Sequence, residues 1–173
     1  MQQKGVTLIE LVAGLAILAI VAGVALPGFS GLIERERVTT ASNTLLTDIQ
    51  YARSLAVTRG SPALLCPSTD GESCTGGSDW TNGWIVFVDD NDNRQRDPGE
   101  DLLRVGQNLS GNGISSSIGR PRIRFQPDGS ASGSNATITL CDRDGENARA
   151  IIISNPGRAR VSHTGPGGRA LEC

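Results

Sequence analysis

Residues 4–38, KGVTLIELVAGLAILAIVAGVALPGFSGLIERERV, decide how the rest of the chain is read. Between Glu10 and Glu34 lie 23 uncharged residues, Leu11 to Ile33. At about 1.5 Å of rise per residue, a helix of that length crosses a hydrocarbon core of about 30 Å. Ahead of it stands Lys4, which places the short N-terminus on the cytoplasmic side and everything after the segment outside. A secretory signal also pairs a basic residue with an apolar stretch. This segment is long for such a signal, contains Glu10, and continues as a helical pattern, so it predicts a retained anchor. An acid inside a spanning segment costs about 2.5–3.5 kcal/mol unless something neutralises it. Glu10 therefore needs a partner.

Beyond the apolar run, Val38, Ala41, Leu45, Ile49, Ala52 and Ala56 recur at steps of three or four and define one helix face. Arg35, Arg37, Asp48 and Arg53 are assigned to the opposite, polar face. Gly60 and Pro62 stop the helix. After them the pattern changes to short strands: Ala63–Cys66, Trp84–Val88, Leu102–Val105, Arg122–Gln126, Ala136–Cys141, Ala150–Ser154 and Arg158–Ser162. Turns such as Pro127-Asp128-Gly129 and Asn155-Pro156-Gly157 separate them. The Gly/Ser/Asn-rich segments 106–120 and 129–135 are predicted to be long loops or mobile edges. The expectation is an antiparallel sheet domain on which the second half of the helix docks.

Charge is unevenly laid out. Residues 70–101 carry nine acids against two arginines, whereas residues 102–173 carry nine arginines against five acids. Two differently charged faces follow, and the basic one suits a polyanion. Cys66, Cys74, Cys141 and Cys173 show no CxxC spacing and have a single histidine, His163, for company, so disulfides fit better than zinc. That implies an oxidising compartment. Of three pairings, Cys66 with Cys74 and Cys141 with Cys173 is favoured: one closes a short Gly/Ser/Asp loop, the other ties the C-terminus to a strand.

The peptide Lys4-Gly5-Val6-Thr7-Leu8-Ile9-Glu10 resembles the class III leader junction of type IV prepilins. The resemblance implies that prepilin peptidase cuts between Gly5 and Val6 and can methylate the new amino group of Val6, although valine replaces the usual phenylalanine. It also implies that this amino group pairs with Glu10 of a neighbouring subunit, giving Glu10 a role in assembly. Pro27 stands where pilins commonly carry a helix-kinking proline, and with Gly28 beside it the helix is expected to bend or partly melt there.

Downstream, Tyr51-Ala52-Arg53-Ser54-Leu55-Ala56-Val57, Gly83-Trp84-Ile85-Val86-Phe87-Val88-Asp89 and Gly99-Glu100 resemble minor pilins of the FimT/FimU type and GspH-type pseudopilins. With the leader, the likeness covers nearly the whole chain. It implies an α+β, type IV pilin-like fold, in which a long N-terminal helix with a membrane-spanning half and an amphipathic half packs on a C-terminal antiparallel β-sheet domain. The expected divisions are a leader over 1–5, a spanning half over 6–29, an amphipathic half over 30–60 and a periplasmic or extracellular β domain over 61–173. The implied protein is a low-abundance subunit, near the filament tip, that meets other major and minor pilins, prepilin peptidase and the inner membrane.

Two candidate sites follow. Gly157-Arg158-Ala159-Arg160 resembles the Gly-Arg-x-Arg element that FimT-like minor pilins use to capture DNA for natural transformation. Arg120, Arg122 and Arg124 repeat the alternation and would extend the patch if the strands lie close, with Arg143, Arg149 and Arg169 as further members. Aromatic residues are few, so backbone contact with double-stranded DNA is expected over base stacking. Second, Asp89, Asn91, Asn93, Gln95, Asp97 and Glu100 occupy positions 1, 3, 5, 7, 9 and 12 of an EF-hand-like calcium loop, but Arg94 stands where that loop needs glycine. A solvated acidic turn is the competing reading. No catalytic constellation is evident, so neither an enzyme nor a cofactor is expected. Two roles compete with DNA capture: a structural tip pilin that primes assembly, and a GspH-type pseudopilin of a type II secretion system.

Overall fold

The computed structural model describes residue 5, residues 7–107 and residues 113–173, without the side chains of residues 22 and 24–30. Lys4 and Val6 of the leader junction lie outside the described residues.

Helix α1, Leu8–Arg59, has 52 residues and is about 78 Å long. Thr7 caps its start from an extended conformation, its hydroxyl oxygen accepting the N–H of Glu10 at 3.4 Å. Thr7-Leu8-Ile9-Glu10 is thus a capping-box sequence, with an acid in the positive first turn. Gly60 ends the helix in the left-handed region at φ 68°, donating to the carbonyl of Ala56 at 3.0 Å. The helix runs through position 27, so of the bending or partial melting expected at Pro27 and Gly28, the melting is not observed. A proline removes one helical donor, and a long ladder can continue past that loss.

Residues 8–21 of α1 present apolar side chains in all directions, among them Leu8, Ile9, Leu11, Val12, Leu15, Ile17, Leu18 and Ile20. Among the described residues no helix is long and apolar enough to cross a membrane. The predicted span, Leu11 to Ile33, includes positions whose side chains are not described.

The second half of α1 buries its stripe: Val38, Ala41, Leu45, Ile49, Ala52 and Ala56 are all buried. They meet two four-stranded antiparallel sheets, a number that the strand pattern alone does not give. Sheet A has the order β3-β2-β1-β5, from β1 (Ala63–Pro67), β2 (Trp84–Val88), β3 (Leu102–Gly106) and β5 (Ile123–Phe125). Sheet B has the order β4-β6-β7-β8, from β4 (Gly113–Ser116), β6 (Ala136–Cys141), β7 (Ala148–Ile153) and β8 (Ala159–Ser162).

Strand β4 lies inside the segment predicted to be a loop. Its sequence, Gly113-Ile114-Ser115-Ser116, has one apolar residue, too few for an alternation to register. Pairing creates the strand: β4 aligns with β6 from Gly113 opposite Cys141 to Ser116 opposite Ile138, and Ile114 is buried. The N–H of Trp80 also donates to the carbonyl of Ile114 at 2.8 Å.

Strands β1 and β2 are buried along their whole length because both faces of sheet A are covered. Leu65, Val86, Ile123 and Phe125 face the helix, while Leu64, Cys66, Ile85 and Phe87 form a smaller cluster with Cys74 and Leu102. Continuous apolar runs are what two-sided burial requires. The cysteines pair Cys66 with Cys74 and Cys141 with Cys173, and no free cysteine remains. Each bridge adds about 2–4 kcal/mol, chiefly by restricting the unfolded chain.

Asp48 corrects the helical reading. Assigned to the polar face, it is instead buried, accepting from Trp84 Nε1 at 2.8 Å and pairing with Arg104 at 3.2 Å. Arg104 in turn lies over the Tyr51 ring, 4.3 Å from its centroid. Position 48 sits one turn from both Leu45 and Ala52, so the helix carries it toward sheet A whatever its polarity.

Candidate nucleic-acid interface

Strand β8 pairs only with β7, leaving it at the margin of sheet B. Ala159 and Val161 pack on the core, which sends Arg160 to the other side by the two-residue period of a strand, and Arg158 stands just ahead of β8. Both arginines are exposed. Among the described residues neither forms an ion pair. Asp142, which follows β6, is buried; its Oδ2 accepts from the backbone N–H of Asn147 at 3.0 Å and from its side-chain amide at 2.6 Å. Burial acts to raise the Asp142 pKa, but those Asn147 bonds and the nearby N–H groups of Glu146 and Gly145 hold it below the usual carboxylate value.

Gly157 fixes the approach to this pair. Its φ is 79°, its N–H donates to Ser154 at 2.8 Å, and a Cβ there would stand 2.0 Å from the carbonyl oxygen of Gly129. Arg53 Nε donates to the same carbonyl at 2.9 Å, so helix, β5–β6 turn and β7–β8 turn meet at one point. Gly157→Ala is expected to cost about 2 kcal/mol or more, the left-handed penalty plus the backbone clash, and to lower the thermal midpoint. A variant as stable as the parent would contradict this account.

The other predicted arginines lie elsewhere. Strand β5 belongs to sheet A, and Arg124, opposite Leu64, points away from the helix. Arg124 is 8% exposed and pairs with Asp92 at 2.6 Å. Arg122 Nη1 donates to the carbonyl of Arg94. Arg120 donates to the carbonyl of Gly133 at 2.6 Å and to Asn135 Oδ1 at 3.4 Å. Arg120, Arg122 and Arg124 share one cleft with Arg94, whereas Arg158 lines a groove beside Arg53 and Val57 of α1. The two sets therefore do not join in one cleft. Of the further members, Arg149 contacts His163 in a third cleft beside Arg35, and Arg169 lines a fourth.

The 89–100 loop is organised around its own backbone. Asp89 is fully buried; its Oδ1 accepts the N–H of Asn93 at 3.1 Å and its Oδ2 that of Arg94 at 2.9 Å. Glu100 accepts the N–H groups of Asp90 at 3.0 Å and Asp97 at 2.9 Å. The side-chain amides of Asn91 and Asn93 each donate to Asp97 Oδ2 at 2.7 Å. Among the described residues no group of three or more His, Cys, Asp or Glu side chains comes together to hold a metal ion. The acids that looked like calcium ligands are bound to loop donors. Arg94 takes the left-handed conformation, φ 65°, at the position where the calcium loop has glycine.

At the N-terminus, Gly5 is exposed and the helix begins only at Leu8, so the Gly5–Val6 bond precedes it. Glu10 is exposed in the first turn. The Thr-x-x-Glu cap and the burial of Asp48 are features that the sequence did not disclose at first reading, although each had a signal: the capping-box spacing and the helical phase of residue 48.

Residues 41–157 match the family described as Type II transport protein GspH, and residues 1–26 match the prokaryotic N-terminal methylation motif. Over 174 residues the chain is 32% identical to the pilin-like protein PilA1 of Thermus thermophilus, covering 93% of this chain and 99% of that one. Among solved structures, the type IV minor pilin FimU of Pseudomonas aeruginosa aligns over 76% of this chain and 92% of its own, with a TM-score of 0.58 and 21% identity. The minor pseudopilin EpsH of the Type 2 Secretion System of Vibrio cholerae aligns over 76% and 98%, with a TM-score of 0.53 and 11% identity. These structural likenesses establish the fold, an N-terminal helix packed on antiparallel β-sheet.

Proposed function

The chain belongs to the GspH family of pilin-like proteins, and on that premise we propose that it is a minor pilin whose exposed β8 arginines bind double-stranded DNA without sequence preference for natural transformation. Its coarser role is that of the family: a membrane-anchored subunit that assembles with other pilins in a pilus or pseudopilus. Family membership favours a structural role over a catalytic one.

In this reading prepilin peptidase cuts between Gly5 and Val6, ahead of the capped helix, and methylates Val6. The apolar half of α1 first sits in the inner membrane, with the β domain in the periplasm, and then enters the filament near its tip. There Glu10 pairs with the amino group of a neighbour's Val6. An acid exposed on an otherwise apolar helix surface is the observation behind this role.

The DNA reading is carried by one observation: Arg158, just ahead of the marginal strand β8, and Arg160, within it, are both exposed and without a carboxylate partner among the described residues. Guanidinium groups so placed can follow a phosphate backbone. Neutralising a phosphate releases counterions, so each lost contact reduces the slope of log affinity against log salt by about 0.9. Full-length protein in detergent, with Arg158→Gln and Arg160→Gln together, is expected to bind a duplex at least about tenfold more weakly at low salt and to lose about 1.8 of that slope. Unchanged gel shifts would remove the assignment and leave a purely structural subunit or a secretion pseudopilin.

A further inference from the structure

A second feature, independent of β8, is a cleft of about 370 Å³ on the outer side of sheet A, lined by Arg94, Arg120, Arg122 and Arg124 with Asn93 and Ser134. Four arginines from three separate segments line it: the 89–100 loop, the approach to β5, and β5 itself. One carboxylate, Asp92, forms an ion pair within the group. Asp89, Asp97 and Glu100 accept from donors of their own loop and are committed to it. The cleft is left with an excess of positive charge.

Two details separate this from an ordinary solvated basic surface. Arg124 is the most buried of the lining residues, at 8% exposure, and its Nε is buried without an acceptor among the described residues. A charged group so deeply placed is costly unless its charge and donors are matched. Its one ion pair, to the exposed Asp92, leaves that match incomplete. Arg94 is held in the left-handed region at φ 65°, where glycine would fit without strain, and the guanidinium of Arg122 donates to its carbonyl. The loop therefore presents an arginine to the cleft from a backbone position that disfavours any side chain.

We propose that this cleft is an oxyanion site for a phosphate group, either a free phosphate or a phosphodiester of a polymer. Planar guanidinium groups approaching from different segments can surround a tetrahedral anion with charge-assisted hydrogen bonds, and its negative charge offsets their repulsion. The volume lies near the lower end of the roughly 300–1,000 Å³ typical of small-ligand sites. Arg94 and Arg122 are the principal ligand contacts; Arg120 braces the 133–135 segment, and Arg124 supplies buried charge behind them.

The test is calorimetric titration of the full chain in detergent with inorganic phosphate, at constant ionic strength set by sodium chloride. Saturable binding near one equivalent is expected. Arg94→Gly removes the side chain while relieving the positive φ, so its thermal midpoint should stay at or above the parent's while phosphate affinity falls at least tenfold. Arg122→Gln should weaken binding similarly, and Arg158→Gln with Arg160→Gln should leave it unchanged. No saturable heat, or equal affinity in the parent and a folded Arg94→Gly variant, overturns the site. A short duplex as competitor separates the sources: displacement of phosphate by DNA supports the phosphodiester, and phosphate binding unaffected by DNA supports the free anion. Because the β8 variant is the control, failure here and failure of the proposed DNA surface give different results.

Discussion

Glu10→Gln should be cut normally and fold normally as a monomer, yet enter filaments about 30- to 100-fold less than the parent. In the free chain the carboxylate is exposed in the first turn, and the capping bond uses the backbone N–H of Glu10, not its side chain. Its local contribution is the helix-dipole interaction, about 0.3–1 kcal/mol. In the proposed filament the balance changes: an ionised acid among packed apolar helices costs about 2.5–3.5 kcal/mol unless paired, and removing it would strand the proposed partner, the neighbour's amino group, by a comparable amount. A loss of about 2–2.8 kcal/mol per subunit contact corresponds to the stated range, at about 1.4 kcal/mol per tenfold. Immunoblots of sheared filaments against membranes measure it, with the mobility of the processed band as the control. Equal incorporation of Glu10→Gln would mean that the acid serves the helix dipole alone. Glu10→Asp, which keeps the charge on a shorter stem, should recover part of the incorporation.

The largest effect inside the folded domain is expected from Asp48→Ala, at about 2–4 kcal/mol. Asp48 accepts from the fully buried Trp84 and pairs with Arg104, linking α1 to β2 and β3 at once. Alanine leaves the indole N–H without an acceptor, at about 1–3 kcal/mol, and opens a small void. The ion pair itself adds little, because the Arg104 side chain is 46% exposed and keeps its stacking on Tyr51. Asp48→Asn retains an oxygen for Trp84 and should cost about 1 kcal/mol or less. Against a typical domain stability of about 5–15 kcal/mol, the alanine variant should melt about 8–15 °C lower. If the two variants melt alike, the ion pair rather than the indole bond holds the junction.

How much was legible depended on the range over which each interaction acts. The stripe from Val38 to Ala56 was readable because a helix repeats within four residues, and every member is buried. The turn residues marked the strand boundaries closely, as at Trp84–Val88 and Ala136–Cys141. Strand β4 was not readable, since its hydrogen bonds come from β6, more than twenty residues along the chain. Asp48 was misassigned because its polarity outweighed its helical phase, although the phase governs where it points.

The arginines mark the same boundary. Sequence places Arg120, Arg122 and Arg124 on an alternating pattern like that of Arg158 and Arg160, and nothing local distinguishes the two sets. Sheet membership does: β5 lies in sheet A beneath the 89–100 loop, and β8 lies at the margin of sheet B. The first set is thereby committed to the loop and its cleft, and the second is left facing solvent.

By itself, then, the sequence determined the long N-terminal helix with its apolar and docking halves, the change to β-structure after Pro62, and cysteines suited to disulfide pairing. Each is set by periodicity or composition within a short window. Only the tertiary structure decided that there are two sheets, that Asp48 is an internal acceptor, and which arginines have partners. Those depend on pairings between residues far apart in the chain, and a charge declares its role only through the group that the fold sets beside it.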